Sequence, residues 1–206
     1  MTMLHSDRLT KRLLYLGILS PLLFWFATLI CGVRHGDYNH LTGTISELGA
    51  IGTRSEGLFA VLIFLSALVG ILFFWGLCRA CKRAGINLIP VIPVLFFCLS
   101  LGGISFFHLG NDWHPMVGQV SLAIILSPLL VLLLWRKRPP AGSRRLSWLV
   151  LLAMVLVLAM FIERPFPVFQ EHFEGLMQRL FHFLWSVWFI SLSLSFGRSS
   201  LPVGEN

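Results

Sequence analysis

Apolar residues along this chain fall into six long runs separated by short polar stretches. The runs do not alternate between apolar and polar positions, as the strands of an outer-membrane barrel would. A helix needs about 20 mostly apolar residues to cross a bilayer, and it satisfies its own backbone hydrogen bonds there. The pattern therefore predicts an all-α integral membrane bundle of six transmembrane helices, over residues of about 13–33, 58–77, 88–107, 116–135, 146–162 and 176–196.

Two polar connections stand out between these predicted helices. Residues 34–57 form a loop rich in Gly, Asn, Asp, Ser and Thr, which are residues typical of turns. Its middle part, residues 38–49, is too polar to span a membrane and too apolar for a free linker, so we expect it to pack against the mouth of the bundle. Within it, Ser46 and Glu47 are predicted to open a short helix. A second polar turn, residues 108–115, precedes the fourth predicted span.

The composition supports a membrane protein and excludes an ordinary soluble domain. Of the 206 residues, 56% are hydrophobic and only 12% are charged, and the mean hydropathy is +0.82. A soluble domain is typically about half apolar and about a quarter charged, so the deficit of charge is the informative number. We predict a single transmembrane domain over residues 1–206, since no polar stretch is long enough for a separate soluble domain.

The basic residues predict the orientation of the chain. Most of the 16 Lys and Arg residues lie in the N-terminal segment, the second and fourth connections and the C-terminal tail, whereas the exceptions are Arg34, Arg54, Arg164 and Arg179. Cytoplasmic loops carry an excess of Lys and Arg. We therefore expect both termini in the cytoplasm and a multi-pass protein of the inner membrane. The net charge of +7 is explained by this orientation in the membrane. The sequence has no basic stripe interleaved with aromatic residues, which is the pattern that would indicate nucleic-acid binding.

Histidine and acidic residues follow the opposite distribution. Nearly all of them fall in the connections predicted to face away from the cytoplasm, or just inside the neighbouring spans. Any chemistry is therefore expected on the non-cytoplasmic side. The residues are His35, Asp37, His40, Glu47, Glu56, His108, Asp112, His114, Glu163, Glu171, His172, Glu174 and His182.

One subset of these residues forms a candidate metal site. His108, Asp112 and His114 lie within seven positions in the turn before the fourth span, and His182 on span six, or His172 just before it, could complete the set. Zinc in catalytic sites takes His nitrogen and carboxylate oxygen from three ligands and leaves one position open. The spacing matches no specific metal motif. Histidines in a wet turn at the level of the lipid head groups remain the alternative.

The start of span six carries the sharpest candidates for binding and catalysis. Gln178 and His182 are four residues apart and share a helix face, and Arg179 is three residues from His182. Charged groups inside a span are costly, so they are expected to face the bundle and to have partners. One interpretation is a buried ion pair between Arg179 and Glu47, or failing that Glu163. The other is an Arg179 that binds a lipid phosphate or carboxylate, with His182 as base.

Ser46 and Glu47 offer two further roles. Glu47 could act as a catalytic base beside a metal, and Ser46 could contribute to binding or act as a nucleophile. No G-x-S-x-G nucleophile motif surrounds Ser46, and a serine at the start of a short helix is typical of a cap. Both interpretations stay open at this point.

Three short motifs resemble a known family. They are Ser46-Glu47-Leu48-Gly49 after span one, Phe107 with Asp112 and His114 before span four, and Gly175-x-x-Gln178-Arg179 followed by Trp185 and Trp188 in span six. Together they resemble the bacterial domain of unknown function 998 family of small multi-spanning membrane proteins, over about residues 13–196. The first motif is also distantly similar to an element of eukaryotic autophagy-modulator and GPI-lipid-remodelling membrane proteins. The resemblance implies fold and topology, but no activity.

The chain departs from that family's pattern directly after Phe107. There the resemblance implies Pro-Cys-Asp, whereas this sequence has His108-Leu109-Gly110. Asp112 follows these changed residues. It corresponds to the family's aspartate only if the two sequences are aligned across them, and the role that the resemblance implies for Asp112 rests on that alignment.

Three functional classes follow from these residues. A membrane enzyme, such as a metal-dependent lipid hydrolase, would use the His, Asp, Glu and Arg side chains on a lipid head group. A binder or transporter would use them to recognise a lipid or another amphiphile, and a scaffold would use them as a structural lock. We expect membrane lipids as partners in either of the first two classes. The identity of a cofactor and the oligomeric state do not follow from the sequence.

Overall fold

The fold was obtained as a computed structural model, which describes residues 2–136, 140, 142–162 and 167–199. All regular structure in these residues is helical. Three of the elements are short 3-10 helices, at Ile45–Gly49, Ile89–Val91 and Val120–Ile125. The α-helices are α1 (Thr2–His35), α2 (Glu56–Ala84), α3 (Ile92–Ile104), α4 (His114–Gln119), α5 (Leu126–Leu134), α6 (Ser143–Ile162) and α7 (Pro167–Ser199).

Most of these helices are long and apolar enough to cross a membrane. Within the described residues, five segments meet that condition: Arg8–His35, Glu56–Ala84, His114–Leu134, Ser143–Met160 and Phe173–Gly197. Many large apolar side chains on them point outwards, such as Leu22, Phe26 and Leu72. An outward apolar surface suits hydrocarbon rather than water. The predicted all-α membrane bundle is therefore confirmed.

The third predicted span is shorter than the sequence indicated. The prediction was about residues 88–107, and the observed apolar helix covers Ile89–Ile104. At 1.5 Å per residue this segment is about 24 Å long, against a hydrocarbon core of about 30 Å. The helix ends where the Ser105 hydroxyl donates to the carbonyl of Gly102 at 2.6 Å, which satisfies an end carbonyl.

The helices form a closed ring in the order of the sequence. Helix α1 packs on α2, α2 on α3, and α3 on the fourth span, while α5 packs on α6 and α6 on α7. Helix α7 then returns to α1 and closes the ring. The centre is filled by large buried aromatic side chains, which are Phe24, Phe73, Phe97, Trp185, Trp188 and Phe189.

Small residues bring α1 and α2 close together. A Cβ placed at Gly76 would lie only 2.8 Å from the Cβ of Leu13, so the contact requires glycine. Almost three turns nearer the start of α2, the Ser66 hydroxyl donates to the Ser20 carbonyl at 2.8 Å, and the Ser20 hydroxyl donates to the Ser66 carbonyl at 2.9 Å. Small residues and hydrogen bonds of this kind hold helices together where lipid removes the hydrophobic driving force.

The fourth span is divided rather than continuous. The sequence predicted one helix over about residues 116–135, whereas α4 passes into a six-residue 3-10 helix before α5 begins. Pro128 has no backbone N–H, so it cannot give Ile124 the hydrogen bond that an α-helix requires. The Ser100 hydroxyl of α3 donates to the Val117 carbonyl at 2.7 Å and secures α4 against α3. This division shapes one side of the cavity described below.

Candidate functional site

The loop after α1 is hydrogen-bonded to a break in α7. Helical geometry is interrupted at Phe173, where φ is −134° and ψ is 21°. The N–H groups just after such a break lack helical acceptors and must find others. The Gly175 N–H donates to the Thr42 carbonyl at 3.2 Å, and the Leu176 N–H donates to the Leu41 carbonyl at 2.9 Å. We call this contact between residues 38–49 and the α7 break the loop–helix junction.

Glycine is required at the closest approach within the junction. A Cβ built on Gly175 would collide with the carbonyl group of Gly43. The resemblance stated above includes Gly175, and its role here is to let the loop backbone lie directly on the helix. The expected packing of the loop against the bundle thus rests on backbone contacts.

Arg179 lies at the centre of the junction and binds neutral oxygen and nitrogen atoms. Its Nη1 donates to the carbonyls of Gly43 and Gly175, each at 2.8 Å. Its Nη2 donates to the Tyr38 hydroxyl at 2.6 Å and to His40 Nδ1 at 3.0 Å. The guanidinium carbon also lies 5.6 Å from the centre of the Tyr38 ring, within the range of a cation–π contact.

The predicted ion pair of Arg179 with Glu47 does not form. Glu47 is not among the partners of Arg179, and the alternative partner, Glu163, lies outside the described residues. The physical reason is that the four N–H donors on Nη1 and Nη2 are already used by the carbonyls of Gly43 and Gly175, the Tyr38 hydroxyl and His40. With its donors used in this way, Arg179 is also not positioned as a phosphate-binding group.

Burial and the Arg179 charge shift the titration of both loop partners. Burial raises the pKa of Tyr38, and the hydrogen bond from Arg179 partly opposes this shift. Burial lowers the pKa of His40, and the positive charge of Arg179 lowers it further. Both shifts favour the neutral side chains, and a neutral His40 keeps the Nδ1 lone pair that accepts from Arg179.

Glu47 has a structural role in the short 3-10 helix. Its carboxylate accepts from the Thr44 N–H at 3.1 Å and from the Thr44 hydroxyl at 3.0 Å. This is the reciprocal arrangement of a capping box, in which a Glu three residues after the cap satisfies the cap's N–H. The carboxylate predicted as a catalytic base is therefore held by its own loop. The neighbouring Ser46 side chain instead lines a cavity.

The cavity lies between α1, α3, α4 and α7 and has a volume of about 510 Å³. Its walls are mainly apolar, with Phe24 from α1, Phe59 from α2 and Phe97, Leu101 and Ile104 from α3. Pockets of about 300–1,000 Å³ with apolar walls and a few polar groups are typical of small-molecule sites. The polar residues in this one are Ser46, Ser100, His114, Gln119, Ser121, Glu174, Gln178 and His182.

Four of the predicted site residues thus line the same cavity, whereas three do not. Ser46, His114, Gln178 and His182 are at its surface. Gln178 also fixes the loop, because its Oε1 accepts from the Ile45 N–H. Arg179 and Glu47 face the junction, as described above. Asp112 is exposed on the turn before α4, outside the cavity lining.

His182 is held in one tautomer by the tryptophan one helical turn away. Its Nδ1 accepts from the indole Nε1–H of Trp185 at 2.7 Å, and an indole nitrogen can only donate. The imidazole is therefore neutral and carries its hydrogen on Nε2. The predicted role of base is not supported, because the ring presents an N–H instead of a lone pair. Phe24 packs against the ring, with 4.7 Å between the centroids.

His114 is held in the complementary way. Its Nδ1 lies 2.7 Å from the carbonyl oxygen of Phe107, and a carbonyl can only accept, so Nδ1 carries a hydrogen. In the neutral ring Nε2 is then a hydrogen-bond acceptor. The two buried histidines of the cavity therefore carry opposite hydrogen-bonding character.

The predicted metal set is not assembled among the described residues. No group of three or more His, Cys, Asp or Glu side chains in them is placed to hold a metal ion. His114 and His182 line one cavity, but Asp112 lies outside it. The side chain of His172, the alternative ligand, is not among those described.

The sequence did not identify several side chains that matter here. Tyr38 and His40 were not predicted as partners of Arg179, although an aromatic residue in a polar loop was a usable signal. Glu56 was not predicted to pair with His108, whose Nδ1 lies 2.8 Å from the Glu56 carboxylate. That pair joins the turn before α4 to the start of α2.

Comparison with known proteins identifies the family. No curated protein and no solved structure matches the chain significantly. Residues 18–195 match the family described as "Protein of unknown function (DUF998)". This match covers most of the chain and includes the cavity and the loop–helix junction. The chain therefore belongs to the DUF998 family of membrane proteins of unknown function.

Proposed function

We propose that this protein binds an amphiphile inside the membrane, with the polar part of the ligand in the cavity between α1, α3, α4 and α7. The observation that carries the proposal is the cavity itself, which combines about 510 Å³ of space, aromatic walls and polar side chains. An acyl chain gains from contact with apolar walls such as Phe24, Phe59 and Phe97.

The arrangement favours binding over hydrolysis. A hydrolase needs a base and a nucleophile or metal in the same place. Glu47 is held by Thr44, and His182 presents an N–H donor at the cavity. The remaining polar groups are suited to recognition, in which hydrogen bonds orient a head group without breaking a bond.

The loop–helix junction supports this function as a structural lock. Arg179 ties residues 38–49 to α7, and the same loop places Ser46 and Ile45 at the cavity. Loss of the junction would therefore open one wall of the binding site. From the distribution of basic residues, we further propose that this end of the bundle faces away from the cytoplasm in the inner membrane.

The divided fourth span supports a second candidate function, which is transport of the same ligand. A stretch of 3-10 geometry within a helix often marks a hinge, and a hinge beside a central site can change shape during passage. The 3-10 helix Val120–Ile125 contributes Ser121 and Leu122 to the cavity lining. Binding is the step that both candidates share.

A cavity-filling variant tests the proposal. Gly118 lines the cavity, and a Cβ at this position would meet nothing within 4 Å, so Gly118→Trp places an indole in open space. The matched control is Gly57→Trp, at an exposed glycine with equally open surroundings and outside the lining. Amphiphiles that co-purify with each protein would be extracted and quantified by mass spectrometry.

We expect the wild type and Gly57→Trp to retain the same amphiphile. Gly118→Trp should lose about tenfold or more, because a loss of only about 1.4 kcal/mol of contact lowers affinity tenfold. Equal retention by all three proteins would contradict the proposal.

A further inference from the structure

The charges around the cavity restrict the head group that it can hold. Among the described residues that line it, Glu174 is the one with a formal charge, and no lysine or arginine takes part. Arg179 is the nearest candidate cation along α7, and its Nη1 and Nη2 donors are occupied by Tyr38, His40 and backbone carbonyls. A phosphate or carboxylate in the cavity would lack a counter-charge. Burying a charge without a partner is costly.

Two side chains of α7 offer hydrogen-bond donors to the cavity. The Nε2–H of His182 has no acceptor within the described part of the protein. The side-chain amide nitrogen of Gln178 also has no acceptor there, because only the amide oxygen forms a hydrogen bond, which it accepts from the Ile45 N–H. Both side chains lie on one face of α7, four residues apart. They can donate to a hydroxyl, ether or ester oxygen.

The other polar groups supply acceptors. Nε2 of His114, on α4, is an acceptor in the neutral ring, and the part of the chain that the structure describes provides it with no donor. Glu174, four residues before Gln178 on the same face of α7, adds a carboxylate, and Ser46 adds a hydroxyl that can donate or accept. A ligand that satisfies both kinds of group must offer acceptors and donors together. A hydroxyl group does this with a single oxygen.

We infer that the ligand is an uncharged amphiphile with a hydroxyl-bearing head group, of which a monoacylglycerol is the simplest chemical example. This inference rests on the proposed binding function and names its ligand class. The head-group hydroxyls lie between the His182 and Gln178 donors and the His114 acceptor. The acyl chain extends along the aromatic wall formed by Phe24, Phe59 and Phe97.

The same arrangement excludes anionic lipids in favour of neutral ones. A phosphate would meet the Glu174 carboxylate, and like charges repel. The cavity is therefore selective by charge as well as by shape.

Photolabelling with two probes tests the inference. The purified full-length protein is placed in phosphatidylcholine nanodiscs, because the sugar hydroxyls of a maltoside detergent would compete for the cavity. It is then labelled with a monoacylglycerol or with a lysophosphatidate, each carrying the same diazirine-modified acyl chain. Labelled residues are mapped by mass spectrometry, and affinities are measured by competition with the unlabelled lipid.

A charge added at the cavity provides a variant with a predicted change of selectivity. Gln119 is exposed and lines the cavity, so Gln119→Arg supplies the missing cation. The matched control is Met116→Arg, in the same short helix and equally exposed but outside the lining. Both proteins are first checked for the monodisperse elution of the wild type.

We expect the wild type to bind the monoacylglycerol about tenfold more tightly than the lysophosphatidate. Gln119→Arg should strengthen lysophosphatidate binding by about threefold to fivefold, as one new charge pair near a surface would. Met116→Arg should leave the ratio unchanged. An equal change in both variants would assign the selectivity to surface charge and overturn the inference.

Failure of the inference is distinguishable from failure of the proposed function. If the wild type binds lysophosphatidate as tightly as the monoacylglycerol, and Gly118→Trp abolishes both, the head-group inference is wrong while the cavity still binds amphiphiles. If neither probe labels residues of the cavity, the proposed function itself is wrong.

Discussion

Replacing Arg179 by alanine removes the central side chain of the loop–helix junction. Four hydrogen bonds are lost with the guanidinium, to Gly43, Gly175, Tyr38 and His40. Their loss is not equally costly. The Tyr38 hydroxyl still donates to the carbonyls of Gly43 and Thr44, at 2.9 and 2.6 Å. The Gly175 carbonyl remains within the helical hydrogen-bonding pattern of α7.

The size of the expected loss in the free energy of unfolding follows from the hydrogen bonds that other groups do not fully replace. The charged hydrogen bond to His40 is lost outright, and the Gly43 carbonyl keeps only the Tyr38 hydroxyl that it shares with the Thr44 carbonyl. Each charged hydrogen bond is worth about 1.5–3 kcal/mol. The side chains of Arg179, Tyr38 and His40 are only half-buried, so hydrogen bonds to water replace part of the lost stabilisation. We expect Arg179→Ala to lower the free energy of unfolding by about 3 kcal/mol, near the low end of that sum. For a chain of this size that corresponds to a decrease of about 6–12 °C in the thermal midpoint.

The assay is thermal unfolding of the purified protein in detergent, followed by tryptophan fluorescence. Arg144→Ala is the control, because Arg144 is exposed at the start of α6 and its loss should change the midpoint by less than about 2 °C. Arg179→Lys should recover only part of the loss, since a lysine cannot reproduce the planar fork. Equal and negligible shifts in Arg179→Ala and Arg144→Ala would refute the reasoning.

Two further predictions concern orientation and pH. Labelling of single cysteines from one side of the membrane should place Arg138→Cys and Asp37→Cys on opposite sides. Residue 138 is expected in the cytoplasm, because basic residues cluster near it. Labelling of both cysteines from the same side would contradict the six-helix topology. Below pH 6.5, the ordinary pKa of histidine, His40 binds a proton in the unfolded chain. In the folded chain the pKa of His40 is lower, so the side chain does not bind this proton until the pH falls further. The stability from His40 is therefore full above that value and is lost as the pH falls towards the folded pKa. Between about pH 7.5 and 5.5 the thermal midpoint of the wild type should fall further than that of His40→Gln, and parallel curves would show that His40 does not contribute.

The fold was predictable because long apolar runs restrict a chain to few structures. A run of about 20 apolar residues has only the helix as a spanning structure, so the pattern alone was sufficient for the class. The division of the fourth span was harder to see. Pro128 was visible in the sequence, but proline is tolerated in many membrane helices when neighbouring groups satisfy the freed carbonyls. Whether the helix bends or breaks depends on those neighbours.

The candidate site was predicted in part, and its errors have specific causes. Charge complementarity suggested Glu47 as the partner of Arg179, yet Thr44-x-x-Glu47 is a capping-box pattern that already predicted a local role for the carboxylate. His182 was assigned as a base because of its position, whereas Trp185, one turn away, fixes its tautomer. The cavity could not be predicted, since its volume depends on how the side chains of four helices pack.

Closure of the ring by α7 has a consequence for how the protein is assembled. The carbonyls of Leu41, Thr42 and Gly43 are synthesised soon after the first span, but their donors at Gly175, Leu176 and Arg179 belong to the last one. Contacts between residues so far apart in sequence form late, because the intervening chain must be in place first. Until then the loop keeps its polar groups in water. Insertion of the final helix completes the junction and the wall of the cavity in the same step, so a chain truncated before α7 has neither.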